Sequence, residues 1–240
     1  MKIITVENQE QAAQEVLEIM KEQLNTGKLE VLGLATGSTM IPIYKKWVES
    51  DLSFEKVTSF NLDEYVGLDN KNSYSFFMNK HLFSKKKFEN NYIPNGMADN
   101  PDAECIAYEK LLHEYPLDLQ FLGIGENGHI AFNEPGISFE SVTHVETLTD
   151  STLGANSRFF ENDDPIPTTA LTMGISSILA AKKVILLAFG EHKRFALEKL
   201  MEGDVTTDYP VTALINHSDV TVITDIKNFA DSFSKRTVGC

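Results

Sequence analysis

The segment VLGLATGST, residues 31–39, passes directly from an apolar run into a loop of glycine and hydroxyl residues. Its first five residues have the length and apolar character of a buried strand. After the loop, Ile43, Tyr44, Trp47 and Val48 recur at helical spacing. The segment therefore predicts a strand, a tight loop and a helix in immediate succession, which is the repeating unit of a parallel sheet covered by helices.

The same alternation of short apolar runs and amphipathic stretches extends along the chain. We predict further strands at Lys2–Val6, Val57–Asn61, Leu117–Ile124, Val184–Ala188 and Val220–Thr224. We predict further helices at Gln9–Leu24, 72–82, 101–113 and 191–201. Because no repeat, linker or shift in composition divides residues 1–240, the sequence predicts a single α/β domain with a mostly parallel sheet and helices on both faces.

The composition narrows the class of protein. The net charge of −14 at pH 7 opposes binding to nucleic acid, which depends on a basic surface. Two cysteines, Cys105 and Cys240, provide neither a disulfide framework nor zinc-ligand spacing, which favours a reducing compartment. The first residues lack the pattern of a signal peptide, and no apolar run reaches the roughly 18 residues of a membrane span. We therefore expect a cytoplasmic protein without nucleic-acid or membrane partners.

Three polar loops follow predicted strands, after Ala35, Asn61 and Ile124. Parallel sheets bind ligands beyond the carboxyl ends of their strands, so these loops locate the predicted site. The first loop presents backbone N–H groups and hydroxyls at a helix start, an arrangement that binds anions. A plain Ser/Thr helix cap is an equally good interpretation of this loop alone. Its candidate anion-binding residues are Thr36, Gly37, Ser38 and Thr39.

The second loop carries two adjacent carboxylates, Asp63 and Glu64. Adjacent side chains of an extended segment point to opposite faces, so we expect one of the two to enter the cleft. A carboxylate in that position suits the removal of a carbon-bound proton. On these residues alone, a solvated acidic turn is the favoured interpretation.

The third loop, GIGENGHIAFNEP at residues 123–135, contains a formal G-x-G-x-x-G pattern. A dinucleotide site requires that pattern to open a helix, which Asn133 and Pro135 would interrupt. What remains is a glycine loop that holds His129 between Asn127 and Glu134. This arrangement is typical of an acid/base histidine.

Two cations complete the candidate site. Arg158 lies among aromatic residues, where a merely solubilising arginine is less expected. Lys193 follows a predicted strand close to a helix start, where a cation opposes the helix dipole and so has another purpose. The histidines form no metal-ligand pattern, and the chain contains no G-x-S-x-G motif of a serine hydrolase.

Taken together, these motifs resemble those of the glucosamine-6-phosphate deaminase family. The matching segments are residues 32–39, 59–68, 122–136, 155–160, 170–174 and 187–197, and NLDEYVGL with GHIAFNEPG is the most specific combination. The resemblance implies a Rossmann-like, doubly wound fold. It also implies a hydrolase of N-acetylglucosamine metabolism that converts glucosamine 6-phosphate to fructose 6-phosphate and ammonia. The implied reaction couples an isomerisation to a deamination without metal or cofactor.

The resemblance implies a role for each motif. Asp63 would move the C2 proton of the open-chain sugar to C1. His129 would open the pyranose ring, with Glu134 and Asn127 orienting it. The phosphate would be held by Thr36, Gly37, Ser38, Thr39, Arg158 and Lys193. Many members have Asp where this chain has Asn127, whose uncharged amide can fix the imidazole tautomer but cannot stabilise imidazolium by charge.

Two other functions remain open at this point. A 6-phosphogluconolactonase-type hydrolase shares this general architecture, although it would not need Asp63 as a carbon base. A sugar-phosphate-sensing regulator could also use the same fold. The presence of both Asp63 and His129, and the absence of a helix-turn-helix segment from the sequence, argue against the regulator.

The resemblance also bears on regulation. Regulated members are hexamers activated by N-acetylglucosamine 6-phosphate, whose phosphate binds Ser, Arg and Lys side chains between subunits. Counting forward from Glu134, those positions hold Ile137, His144 and Glu146 in this chain. Because an aliphatic and an anionic side chain cannot hold a phosphate, we expect no allosteric activation. A monomer or a small homo-oligomer follows as the expected state.

Overall fold

The computed structural model describes residues 1–157, 160 and 166–227. The strands within these residues are β1 (Lys2–Thr5), β2 (Val31–Leu34), β3 (Phe54–Asn61), β4 (Asp63–Tyr65), β5 (Phe88–Tyr92), β6 (Leu119–Gly123), β7 (His144–Thr147), β8 (Thr169–Thr172), β9 (Val184–Ala188) and β10 (Val220–Thr224). The α-helices are α1 (Gln9–Asn25), α2 (Ile41–Glu49), α3 (Tyr74–Met78), α4 (Pro101–Glu114), α5 (Asp150–Ser157), α6 (Ile175–Leu179) and α7 (Arg194–Glu202). Shorter helical turns are Ser38–Met40, Asn79–Phe83, Glu191–Lys193 and Pro210–Asn216.

Seven strands form the main sheet, in the order β1-β10-β9-β6-β2-β3-β5. Every neighbouring pair in it runs parallel. All residues of β9 and β10 are buried. Since successive side chains of a strand point to opposite faces, both faces of the sheet are covered there. The predicted mostly parallel α/β fold is confirmed, and β9 and β10 have the predicted boundaries.

Helix α2 ties the centre of the sheet to the first polar loop. Its residues Tyr44 and Trp47 are fully buried, as their helical spacing with Ile43 predicts. The Tyr44 hydroxyl donates to the carbonyl oxygen of Ala35 at 2.5 Å. This bond holds the last residue before the loop against the helix that follows it.

The chain changes direction across the sheet at β2. From β2 it moves to β3 and then β5 on one side, whereas β6, β9 and β10 are added on the other side. Such a reversal leaves a crevice beyond the carboxyl ends of the two strands that flank it, here β2 and β6. The loops after β2 and β6 therefore lie side by side, with those after β3 and β9 next to them.

The structure adds four strands that the hydrophobic pattern did not predict. Strand β5 is the largely polar sequence FENNY at the edge of the sheet, where three consecutive residues are exposed. Strands β4, β8 and β7 form a separate antiparallel sheet in that order. Each of these three has only three or four residues and depends on pairing with a distant partner, so it has no periodic signal of its own.

Two predicted helices are less regular than expected. The helix predicted at 72–82 is α3 followed by a π-helical turn, and Ser73 caps it by accepting from the N–H of Phe76 at 3.1 Å. The helix predicted at 191–201 begins as a 3-10 turn before α7. None of the helices within the described ranges combines the length and apolar character needed to cross a membrane.

Candidate active site

A cavity of about 490 Å³ opens at the carboxyl edge of the main sheet, where β2, β3, β6 and β9 end. Its lining includes these residues nominated from the sequence: Thr36, Gly37, Ser38, Thr39, Asp63, His129 and Lys193. Asn127 and Glu134 are not among the lining residues but lie next to His129. The Glu134 carboxylate is close to the His129 imidazole, and the Asn127 amide donates to that carboxylate. Arg158 lies outside the described residues.

The loop after β2 turns on a glycine. Gly37 has φ +92°, a left-handed conformation that a side chain would strain. The N–H of Met40 then donates to the Gly37 carbonyl at 3.1 Å, which starts a 3-10 turn ahead of α2. Neither this 3-10 turn nor α2 is capped by a side-chain hydrogen bond, so the interpretation of Ser38 and Thr39 as a helix cap is wrong for this loop. The hydroxyls face a cavity at a helix start, where the backbone favours an anion.

The charges around the cavity differ in sign from those of the whole chain. Among the described residues that line it, Lys71 and Lys193 are lysines and Asp63 is the one carboxylate. Lys193 ends the turn after β9, where its N–H donates to the Gly190 carbonyl at 2.9 Å. In a chain with a net charge of −14, this local excess of lysines over carboxylates favours an anion in the cavity.

The two adjacent carboxylates of the second loop have different surroundings. Asp63 lines the cavity and is 6% exposed, whereas Glu64 is 3% exposed and turned away from it. The Glu64 carboxylate accepts from the backbone N–H groups of Tyr65, Tyr74 and Ser75, at 2.9, 2.9 and 2.7 Å. The predicted division of the pair between two faces is therefore observed, and the solvated-turn alternative is wrong because both side chains are buried.

Burial also changes the proton affinity of Asp63. Removal from water, and to a smaller extent the neighbouring charge of Glu64, raises the pKa of Asp63 to about 8. A carboxyl group with this pKa is a stronger base than an exposed one once it has lost its proton. The cavity therefore holds a carboxyl group suited to take a proton from carbon.

His129 is held in its loop by a glycine and by two polar side chains. A Cβ atom at Gly125 would lie 2.3–2.5 Å from the imidazole ring, so only glycine leaves room for it. Nδ1 of His129 lies 3.7 Å from Oε2 of Glu134 and 3.4 Å from Oγ1 of Thr152. These neighbours place the Nδ1 edge of the ring against the protein, which leaves Nε2 as the ring nitrogen that Glu134 does not engage.

Glu134 is a buried anion within this loop. Burial alone would raise the pKa of Glu134, but the neighbouring side chains of His129, Thr152 and Asn127 lower it to about 2. The Asn127 amide donates to Oε2 of Glu134 at 3.0 Å, and its Oδ1 accepts from the backbone N–H of His129 at 3.2 Å. Asn127 thus reaches the imidazole through Glu134 and through the backbone.

Backbone strain marks the same loop. Ala131 lines the cavity with φ +52° and is the one residue other than glycine in the described ranges with a positive φ. Buried Asn133 donates to the carbonyl oxygens of Ile130 at 3.0 Å and of Met173 at 2.7 Å. These two bonds fix the turn that contains Ala131, which is how a conformation that costs about 1–3 kcal/mol is retained beside the cavity.

Comparison with known proteins places this arrangement in a family. The family model of glucosamine-6-phosphate isomerases/6-phosphogluconolactonase matches residues 5–223. The chain belongs to this family. The predicted resemblance is confirmed by glucosamine-6-phosphate deaminases from Enterococcus faecalis, 51% identical, and Listeria innocua, 52% identical. Each aligns over 227 residues, which cover 94% of this chain and 97% of the relative.

Solved structures of the family share the fold. A monomeric glucosamine-6-phosphate deaminase superposes with a TM-score of 0.91 at 44% identity and covers 97% of this chain and 100% of its own. The 6-phosphogluconolactonase of Thermotoga maritima superposes with a TM-score of 0.74 at 21% identity, over 93% of this chain and 98% of its own. The second likeness is one of fold alone.

Aromatic residues that the motifs did not nominate complete the wall of this family member's cavity. Tyr65, Tyr74, Phe132 and Phe160 line it. The Tyr74 ring stacks on Phe132 with centroids 5.9 Å apart and an interplanar angle of 8°, and its hydroxyl lies 3.4 Å from that of Tyr65. Tyr65 and Phe132 each occur inside a quoted motif, so an aromatic residue next to a candidate catalytic residue was the sequence signal that could have identified them. No signal singled out Tyr74 or Thr152.

Proposed function

We propose that this protein converts glucosamine 6-phosphate to fructose 6-phosphate and ammonia. The observation that carries the proposal is the convergence of three groups on one cavity: the anion-binding loop after β2, the buried Asp63 and the paired His129. These groups match the three demands of the reaction, which are to hold a phosphate, to open a sugar ring and to move a carbon-bound proton. Close relatives that are named deaminases support it.

The phosphate is assigned to the cationic side of the cavity. Thr36 to Thr39 offer hydroxyls and backbone N–H groups at a helix start, and Lys193 adds a charge from the turn after β9. We assign Arg158 to the same role on its sequence context. With the phosphate fixed, the sugar extends toward Asp63 and His129 on the same wall.

Ring opening is assigned to His129. Glu134 beside Nδ1 favours a proton on that nitrogen, which leaves Nε2 as the base that accepts the proton of the C1 hydroxyl. The same proton passes to the ring oxygen as the bond between C1 and that oxygen breaks. Glu134 stays ionised throughout because its pKa is about 2, and it stabilises the imidazolium that forms.

Isomerisation and deamination follow at C2. Asp63 removes the C2 proton of the open-chain amino aldehyde, giving an enolamine, and returns a proton to C1. The product carries a C2 imine, to which water adds before ammonia leaves. This last step is a hydrolysis of a carbon–nitrogen bond, so the reaction is both an isomerisation and a hydrolytic deamination. Its chemistry requires neither a redox cofactor nor a metal.

The lactonase alternative is weaker for a chemical reason. Hydrolysis of a lactone breaks no carbon–hydrogen bond and therefore does not need a buried carboxyl group with a raised pKa in the cavity. The 6-phosphogluconolactonases compared are 18–22% identical to this chain, whereas the deaminases are 44–52% identical. The regulator alternative leaves the Asp63 and His129 arrangement without a purpose.

The assignment is tested with purified protein and two substrates, glucosamine 6-phosphate and 6-phosphogluconolactone. We expect ammonia and fructose 6-phosphate from glucosamine 6-phosphate, at a rate that EDTA leaves unchanged. Asp63→Asn should nearly abolish exchange of the C2 hydrogen in D₂O, followed by NMR, while binding of fructose 6-phosphate persists. Turnover of 6-phosphogluconolactone but not of the amino sugar would overturn the assignment of function. An equally large loss of exchange in Glu64→Gln would overturn only the assignment of Asp63 as the base.

We extend the proposal to cell location, assembly and regulation. The protein acts as one cytoplasmic domain over residues 1–240, as a monomer or a small homo-oligomer, in N-acetylglucosamine metabolism. Its partner is a small amino-sugar phosphate. His144 and Glu146, at positions where regulated members hold an effector phosphate, lie 3.2 Å apart between Nε2 and Oε2. An imidazole already paired with a carboxylate does not attract an anion, which supports a rate independent of N-acetylglucosamine 6-phosphate.

A further inference from the structure

Glu64 is the buried carboxylate beside Asp63 that the proposed reaction does not use. It accepts three backbone hydrogen bonds, of which those from Tyr74 and Ser75 come from the first turn of α3. Three charge-assisted bonds to one carboxylate hold it firmly, and an anion at a helix start is also favoured by the helix dipole. Glu64 therefore locks α3 to the strand that carries Asp63.

Tyr74 is the first residue of α3, the helix whose N–H groups bind Glu64. Its hydroxyl donates to the hydroxyl of Tyr65, two residues after Asp63, at 3.4 Å. Tyr74 also lines the cavity together with Thr36 of the anion-binding loop. Its ring stacks on Phe132, three residues after His129. Tyr74 thus contacts the segments that carry Asp63 and His129 and shares the cavity with the anion-binding loop.

Glu64 and its strand are also tightly packed against the segment around Gly96. A Cβ atom at Gly96 would lie 2.0 Å from the Tyr65 carbonyl oxygen and 3.0 Å from Cγ of Glu64. The N–H of Gly67 donates to the Gly96 carbonyl at 2.8 Å. The segment around Gly96 therefore packs directly on the backbone and side chain of β4, which leaves Glu64 little freedom to turn away from α3.

From this geometry we infer that Glu64 is a positioning residue, which acts by holding Tyr74 at the junction of the three loops. The inference rests on the proposed function for the roles of Asp63 and His129. The hydroxyl binds Tyr65 inside the cavity that the anion-binding loop also lines, whereas the ring stacks on Phe132 in the His129 loop, so the two parts of Tyr74 have separable effects. Loss of the hydroxyl should weaken phosphate binding, and loss of the ring should also slow the chemistry.

The test is a double-mutant cycle in steady-state kinetics. We expect Tyr74→Phe to raise KM for glucosamine 6-phosphate about three- to tenfold with kcat within twofold, since one hydrogen bond is lost. Tyr74→Leu should lower kcat at least fivefold as well. Glu64→Gln should raise KM and lower kcat together, and should have no further effect in the Tyr74→Leu background, because it acts through that ring.

Glu109→Gln is the matched control. Glu109 is another partly buried carboxylate, which accepts from Thr143 and Ser177 away from the cavity. The Glu109→Gln variant should lower the melting temperature without changing KM or kcat, both alone and in the Tyr74→Leu background. If Glu64→Gln behaves like this control, or if its effects multiply with those of Tyr74→Leu, the inference is wrong. A loss of C2 exchange as large as that of Asp63→Asn would make Glu64 a base rather than a positioning residue.

Binding of inorganic phosphate separates this inference from the proposed function. Its dissociation constant, measured from the rise in melting temperature, should increase at least threefold in Tyr74→Phe and in Glu64→Gln but not in Glu109→Gln. If that pattern is seen in a protein that does not deaminate glucosamine 6-phosphate, the proposed substrate is wrong and the positioning role of Glu64 stands. Unchanged phosphate affinity in an active enzyme would overturn the positioning role alone.

Discussion

Asp63 lowers the stability of the folded chain at every pH above about 4, where the unfolded chain has lost the proton, so Asp63→Asn should stabilise the protein. Folding raises the pKa of this carboxyl from 3.8 to about 8, chiefly by burial. Below about pH 4 both states hold the proton and stability is unaffected. As pH rises from about 4 to 8 the unfolded chain loses its proton while the folded chain keeps it, so stability falls throughout that window.

The size of the effect follows from the same shift. About four pKa units at 1.36 kcal/mol each give an upper limit of roughly 5 kcal/mol above pH 8. Relaxation around the ionised group reduces this, and we expect at least about 2 kcal/mol, which is roughly 4–8 °C in the melting temperature of a chain of this size. Asparagine matches the shape of the protonated acid, so the two proteins should coincide at low pH.

The measurement is thermal unfolding of both proteins from pH 3.5 to 9 in buffers without phosphate, which would bind the cavity. Asp118→Asn is the control with the opposite sign. Asp118 accepts from the backbone N–H groups of Glu30 and Val31 and pairs with Lys182 at 2.7 Å. Although burial acts in the other direction, these bonds lower the pKa of Asp118, so its stabilisation is present at neutral pH and is lost in acid.

The two variants should therefore diverge above pH 4, with Asp63→Asn melting higher than the native protein and Asp118→Asn melting lower. The reasoning is refuted if Asp63→Asn is no more stable than the native protein at pH 8. It is also refuted if any gain is as large at pH 4 as at pH 8, since a gain that ignores pH would come from packing rather than from charge.

Four further predictions concern the loops, the phosphate and regulation. Gly125→Ala should lower kcat at least tenfold with a smaller change in KM, because the new methyl group displaces the His129 ring; unchanged kcat in a folded variant would contradict this. Lys193→Ala should raise KM about ten- to a hundredfold, since a charge-assisted contact is lost. The loss should be absent for unphosphorylated glucosamine, and equal losses for both substrates would indicate a structural role. Asn133→Ala should cost about 1–3 kcal/mol in urea unfolding, because two buried carbonyls each lose one of their two donors. The reaction rate should depend hyperbolically on the concentration of glucosamine 6-phosphate. A sigmoidal dependence that N-acetylglucosamine 6-phosphate makes hyperbolic would show that an effector site exists.

Local pattern was sufficient for six of the seven strands of the main sheet and for the loops of the site. Strands β9 and β10 have their predicted limits because a fully buried parallel strand is a continuous apolar run, which is visible without knowledge of its neighbours. The three loops were predicted to meet because carboxyl ends of parallel strands share one edge. For the same reason Thr36, Asp63 and His129 could be assigned to one cavity before any distance was known.

Features that depend on distant partners were decided by the tertiary structure. Strand β4 exists because Asp63 pairs opposite Thr172, more than a hundred positions away, and a segment of three residues has no periodicity to announce it. The burial of Glu64 required α3 to fold back onto that strand. Asn127 was expected to act on the imidazole, and its bond to Glu134 depends on how the glycine loop closes. Sequence spacing shows which face a side chain occupies, whereas the group that meets it there is set by how the strands and loops pack.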